Sequence, residues 1–401
     1  VSTAPRPSLL ILAYLAFVSL GLPDGLLGVG WPSIRSEFGV PTEAVGLLLT
    51  AATIGYLTSS VAAGFTLARV GVGWLLAGST ALASLALTGY AVAPVLTLMV
   101  GCALLLGLGS GAVDSGLNAY AASAFGARHM NWLHAFFGLG VALGPLIMTT
   151  VIGLGLSWRW GYGIVASAQA LLALAFVLTV RAWADRRTAT ATEAPEPGPA
   201  TAPGRIRIGA TLGLPVVWTG ALAFGIYSGI EVAAGLWAFL LLTEGRGLSD
   251  TAAGIAVSIY WGSLFLGRVV QGLVAERLGS GLVLRGSLIG MAVGAALVAV
   301  PGPAGLAVTG LAIIGFAAAP VFPLLTLTTA DRVGIAHADR TIGLQIGGAG
   351  IGAALLPAGI GLLLSRSTVE ALGPALLVLS LILLGLYVAS TRRAGGERVT
   401  G

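Results

Sequence analysis

The sequence has no lysine, one cysteine and three histidines in 401 residues, and only 9% of its residues are charged. Each shortage excludes something. A single cysteine cannot form an internal disulfide, and no cysteine and histidine fall at metal-site spacing, so no metal and no other cofactor is expected. Cys102 lies in an apolar run and reads as a small packing residue. Soluble domains carry about 25% charged residues. A chain that is 57% hydrophobic would expose large apolar patches in water. A lipid solvent removes that conflict. All 20 basic residues are arginines, thinly spread along the chain, which excludes the clustered basic face of a nucleic-acid binder. No small-residue cleavage site follows the first apolar run, Leu9 to Leu22, so no cleavable signal peptide is expected. No nucleophile–base pair, HExxH pattern or phosphate loop is visible, so the chain is not read as an enzyme.

What remains is long apolar runs and glycine. The 61 glycines are roughly twice the usual share of about 7%, as suits membrane helices packed backbone to backbone. About twenty apolar residues cross the hydrocarbon layer as a helix. Twelve such segments are predicted, near 9–30, 43–67, 73–93, 95–123, 131–156 and 158–181, then 209–242, 251–275, 281–301, 303–329, 340–364 and 368–390. The expected fold is therefore all-α and polytopic, with six helices in 1–183 and six in 209–401. The segment 184–208, rich in Pro, Ala and Thr, reads as a flexible linker. With the amino terminus in the cytoplasm, sixteen of the twenty arginines fall on that side; Arg35, Arg159, Arg246 and Arg366 face outside. This predicts a multi-pass protein of the cell membrane with both termini cytoplasmic, expected to be a monomer.

The two halves repeat at an offset of 207–208 residues. Leu15-Ala16-Phe17 recurs as Leu222-Ala223-Phe224, Asp24 falls on Glu231, Gly28 on Gly235, and Gly64, Arg69 and Gly71 on Gly272, Arg277 and Gly279. In the second half the loop reads Gly272-Leu-Val-Ala-Glu276-Arg277-Leu-Gly279. It resembles the G-x-x-x-[DE]-R-x-G loop of major facilitator transporters, whose charges latch neighbouring helices during the conformational cycle. The first half has Ala68 where the acid would be, and helix-end anchoring competes as a reading of Arg69. Parallel repeats of this kind place substrate near the midplane, between the halves.

Three carboxylates fall inside predicted spans: Asp24, Asp114 and Glu231. An acid at the bilayer centre costs at least about 2.5–3.5 kcal/mol, so each needs a reason. A water-filled path, a substrate site or a proton relay is one; a polar pair gluing helices is the other. Asp24 lies in Gly21-Leu-Pro23-Asp24-Gly25, where the proline and glycines are expected to loosen the helix and free carbonyls. It shares a face with Gly28 and Trp31. An acid beside an aromatic suits a sugar, whose hydroxyls need acceptors and whose C–H faces need a ring. Asp114 and Asn118 are four apart, in glycine-rich and apolar surroundings that suit a group alternating between neutral and charged forms. Tyr227 and Glu231 are likewise four apart. His134, Gln169, Gln271 and Gln345 are further polar side chains within spans, and Arg268 lies towards a helix end, as a gating or snorkelling residue would.

At these residues the chain resembles the fucose–galactose–gluconate:proton symporters, the fucose permease-like branch of the major facilitators. The likeness covers nearly the whole length. Asp114 and Asn118 match the acid and asparagine of the family's fourth helix, where Glu is the commoner acid. Asp24 matches a sugar-binding Asp in its first helix. Asn131-Trp-Leu-His134-Ala-Phe136-Phe137-Gly138 fits the fifth, with His134 in place of Gln, and Tyr227, Gly229 and Glu231 fit the seventh. Glu231 and Trp237 resemble the glucose-transporting members more than the fucose permeases proper. The resemblance implies proton-coupled uptake of a neutral monosaccharide by alternating access. Asp114 would take the proton. Asp24, Asn118, His134, Glu231 and Gln345 would bond hydroxyls, and Trp31, Tyr120, Phe136, Tyr227 and Trp237 would pack against the ring. Arg69, Arg268, Glu276 and Arg277 would serve the cytoplasmic gate. Other classes stay open: proton-driven export of a drug or apolar metabolite, sodium in place of the proton, and a membrane receptor without transport.

Overall fold

The computed structural model describes residues 7–125, 127–183 and 208–397. Among these there is no strand. The long helices are α1 (Pro7–Phe38), α2 (Val45–Val92), α3 (Leu96–Ala124), α4 (Ala127–Gly153), α5 (Arg159–Thr179), α6 (Pro215–Leu240), α7 (Asp250–Leu278), α8 (Ser280–Ala299), α9 (Ala304–Ala318), α10 (Ile335–Arg366) and α11 (Leu372–Glu397). Among the described residues, eleven stretches are long and apolar enough to cross a membrane. One of them, Thr42–Val92, has 51 residues, about 75 Å at 1.5 Å per residue, more than twice a hydrocarbon core. It breaks at Gly71, whose φ of 76° and ψ of 166° leave the helix. The two arms of α2 are therefore separate crossings, and the stretches make twelve spans. Gly279, the repeat of Gly71, likewise has φ of 80° between α7 and α8. A side chain is disfavoured at such φ, so the terminal glycine of the loop motif makes the reversal possible in both halves.

Several helices outrun the apolar windows. The first span, expected to end near residue 30, continues to Phe38, and the eleventh begins at Ile335, not 340. Hydropathy registers only the buried stretch, while Arg35, Ser36 and Glu37 extend the helix beyond it. The expected loosening at Pro23 does not occur: α1 is continuous from Pro7 to Phe38. A proline removes the N–H that would bond the carbonyl four residues back, here Ser19. The Gln169 side-chain amide donates to that carbonyl at 3.0 Å from α5, so the helix stays closed and its orphaned group is satisfied. Gln169 is buried, with 1% exposure, and this bond accounts for it.

Most helix packing falls within α1 to α5 and within α6 to α11, and the main crossings between the two groups are α4 on α7 and α2 on α10. Each group is crossed tightly at small residues. A methyl group added to Gly144 on α4 would sit 2.7 Å from the Gly25 backbone of α1, and one on Gly225 of α6 would sit 2.9 Å from the Gly348 carbonyl of α10. The expected linker lies almost wholly in 184–207, outside the described residues.

The groups meet mainly at one end. There Arg35 pairs with Glu244 at 3.0 Å, and Gly28 of α1 lies against Gly235 and Leu236 of α6. Arg159 binds Glu37 at 2.8 Å and the Ala91 and Ala93 carbonyls. Arg246 binds Glu370 at 2.8 Å and three carbonyls, of Val298, Val300 and Gly302. This is the arginine-poor end; Arg69, Arg277, Arg285 and Arg340 belong to the other. Along α2 and α10 the separation can be followed. A methyl group on Gly350 would touch Leu57 at 3.5 Å. Seven residues further along the same faces, Gly64 and Gly343 would meet nothing within 4 Å. The two groups thus diverge towards the arginine-rich end.

Candidate functional site

Asp24 marks the centre. Its neighbours Leu22, Pro23, Gly25 and Leu26 are buried, yet Asp24 is exposed halfway along a membrane helix. It therefore faces an opening inside the bundle. Tyr56, Tyr90 and Tyr162 lie within its electrostatic reach. The hydroxyl of Tyr162 is buried without a hydrogen-bond partner.

Tyr56 links this centre to Asp114. Its hydroxyl donates to Asp114 Oδ2 at 2.6 Å, and Asn118 Nδ2 donates to Oδ1 at 3.0 Å. Both carboxylate oxygens are held, and neither bond comes from a cation. Asn118 Oδ1 is buried and unmet. His134, on α4, is exposed, stands edge-on to the Phe17 ring at 5.4 Å, and is within electrostatic reach of Asp114 and Arg268.

On the other side, Glu231 is enclosed by its own half. The Tyr227 hydroxyl bonds its carboxylate, Arg268 Nη2 lies 3.7 Å from Oε1, and the Tyr260 hydroxyl donates to the Glu231 carbonyl at 2.7 Å. The Arg268 guanidinium reaches the face of α4, 3.8 Å from where a Gly138 methyl would stand. A band of hydrogen-bonding groups thus runs from Asp24 through Tyr56, Asp114 and His134 to Arg268 and Glu231, across both helix groups.

Of the remaining predicted residues, Tyr227 adjoins the band through Glu231 and the others lie elsewhere. Trp31 and Trp237 are each 1% exposed and donate their indole N–H, at 2.9 Å, to the Thr42 and Pro357 carbonyls. They brace the arginine-poor end and present no face to the opening. Gln345 is 2% exposed, accepts from Thr329 at 2.9 Å, and packs against Gly220. Tyr120 packs edge-on against Phe125 and Trp183, and Phe136 stacks on Tyr14 at 4.6 Å. Tyr227 is buried among Glu231, Ala318 and Phe322. Arg69 and Arg277 are exposed at the arginine-rich end; the Glu276 side chain lies outside the described residues. Tyr56 and Tyr260 are site residues that the pattern of acids did not reveal. The available signal was a phenol two or three residues from serines within a span, in Tyr56-Leu-Thr-Ser59-Ser60 and Ser258-Ile-Tyr260.

Two bundles of membrane helices around a polar centre open at one end define a carrier of small molecules. The chain belongs to the Major Facilitator Superfamily, whose profile matches residues 13–357. Solved structures share the fold. A point mutant of the nucleoside transporter NupG is 16% identical, with a TM-score of 0.73 over 96% of this chain and 100% of that one. A second NupG structure gives 0.66 over 96% and 98%. A bacterial homologue of the human lysosomal transporter Spinster, inward-facing and occupied, is 15% identical and gives 0.72 over 98% of both chains. No curated protein matches the sequence.

Proposed function

We propose that this transporter is a proton-coupled symporter of a neutral monosaccharide, with two six-helix halves joined by the 184–208 linker. The observation that carries the proposal is a pair of intramembrane carboxylates, Asp24 exposed to the opening and Asp114 half-buried and held by neutral donors, with no ion-pair partner among the described residues. In lipid such groups are expensive unless they work. Asp114 takes the proton, because its neutral form lets the halves close without a buried unpaired charge, whose cost is several kcal/mol. Asp24, Asn118 and His134 offer sugar hydroxyls a mixture of acceptors and donors. The positive-inside rule places the arginine-rich end in the cytoplasm, so the structure is inward-open and both termini are cytoplasmic. A membrane potential of 100 mV with one pH unit supplies about 3.7 kcal/mol per proton, enough for roughly several-hundred-fold accumulation.

The test is counterflow in proteoliposomes with hexoses, pentoses and nucleosides, under imposed pH gradients, with and without sodium. The expected result is exchange of a monosaccharide and its accumulation on acidifying the outside. Exchange of nucleosides alone would reassign the cargo. Accumulation that needs sodium and ignores pH would reassign the ion.

A further inference from the structure

The ends of α1 and α6 carry the same pattern with its charges reversed. Arg35-Ser-Glu37 falls on Glu244-Gly-Arg246, at a separation of 209 residues. The four groups are then used differently. Glu37 and Arg246 are held within their own halves, by Arg159 and Glu370, and backbone carbonyls take up the remaining donors of the two arginines. Arg35 and Glu244 are left to meet each other across the two halves.

They meet on the wall of a cavity of about 280 Å³, whose lining includes Arg35 and Thr42 of the first half and Leu240, Glu244, Leu364 and Ser365 of the second. That is the small end of ligand pockets, roughly 300–1,000 Å³, and suits a single small ring. Its polar groups are only partly engaged. Arg35 gives Nη1 to Thr42 Oγ1 at 2.8 Å and Nη2 to Glu244 Oε1 at 3.0 Å. Among the described residues this leaves Arg35 Nε as a donor and Glu244 Oε2 as an acceptor for a further partner. The two side chains are 27% and 49% exposed. Their charges cancel, so the cavity favours a neutral solute over an ion. Donors and acceptors beside the apolar Leu240 and Leu364 suit a polyhydroxyl compound, whose hydroxyls need the first and whose C–H faces need the second. The end of α6 is also a π turn, Leu241–Gly245, a widening met frequently where a helix serves a site. The cavity is separate from the central opening: Arg35 lies eleven residues, about 16 Å, along α1 from Asp24.

We propose that this cavity is a second binding site, for a neutral polyhydroxyl solute arriving at the arginine-poor end, and that its occupant ties the two halves together there. The inference rests on the monosaccharide reading of the cargo. A ligand held by residues of both halves favours the form in which those residues are adjacent. That form is the inward-open one, so the occupant delays the return to the outward-open form. Cargo at high outside concentration thereby brakes its own uptake.

Two measurements test this with the full-length protein in sealed proteoliposomes. In the first, S365C in a C102A background reacts from outside with a membrane-impermeant maleimide, in the presence of glucose, galactose or fucose. The hexose that occupies the cavity slows the reaction about ten-fold or more at saturation. D24A and D24N leave that protection in place, because they alter only the central opening. E244A raises the protecting concentration about ten- to a hundred-fold, the range for hydrogen bonds to a charged group, and E244Q raises it less. In the second, the initial rate of uptake passes through a maximum as the outside hexose concentration rises, and E244A converts the curve to simple saturation. Reaction at S365C that no hexose slows overturns the proposal. So does protection that D24A and D24N abolish, which would report the central opening through a change of conformation. Uptake by the parent that only saturates overturns it as well. If counterflow shows no monosaccharide exchange yet a hexose protects S365C through Glu244, the cargo reading fails while the second site stands.

Discussion

The two halves carry equivalent acids in opposite settings. Asp24 and Glu231 are repeats of one position, yet Asp24 is exposed to the opening with buried neighbours, whereas Glu231 is bonded by Tyr227 and faced by Arg268. The first half holds a second acid, Asp114, with Tyr56 and Asn118 as neutral donors. The scaffold is nearly two-fold symmetric and its charge is not. In the first half no cation pairs with the acids among the described residues; in the second an arginine does. On the proposed function, the difference teaches that coupling and anchoring are divided between two repeats of one pattern.

That contrast can be broken at graded cost. The largest effect is expected from D114N, which fixes that acid in its neutral form. Accumulation under a pH gradient falls from roughly several-hundred-fold to none, while exchange down a gradient persists; continued concentration of cargo would show that coupling lies elsewhere. Next is D24A, which removes an exposed acceptor proposed to bond cargo hydroxyls. Affinity by calorimetry should weaken about ten- to a hundred-fold, the range for hydrogen bonds to a charged group. A smaller effect separates the halves directly. Y56F removes one of the two donors that hold Asp114, so the pH profile of uptake should change, by about five-fold at the old optimum. Y227F, the counterpart beside Glu231, should leave the profile in place. The smallest effect is expected from E244Q, which cuts the Arg35 pair across the arginine-poor end. That pair is half exposed, and such pairs contribute at most about 1 kcal/mol, so the open population at that end, read by spin-label distances, should rise no more than about five-fold.

The membrane architecture was legible because lipid imposes simple requirements on sequence. Twelve apolar stretches, the offset repeat and the glycine of the loop motif all correspond to structure, and the merger of two spans across Gly71 follows from a backbone angle that sequence does not print. The intramembrane acids were legible for the same reason, since charge in lipid is conspicuous. The aromatic side chains were not. Trp31 and Trp237 lie near acids in sequence, but an indole N–H buried in lipid must find an acceptor, and the nearest were the Thr42 and Pro357 carbonyls at the closed end. Gln345 was drawn to Thr329 by the same need. Tyr56 escaped notice because a phenol scores as apolar until its hydroxyl is seen to meet a carboxylate.

The proline next to Asp24 sets the compass bearing of that acid. Because Gln169 of α5 grips the carbonyl that Pro23 leaves bare, α1 cannot spin about its own axis without surrendering a bond that nothing else in lipid replaces. The azimuth of Asp24 is thereby locked to a neighbouring rod. Whatever rocking carries cargo across, these two rods must tilt as a single oar, with the carboxylate on its blade.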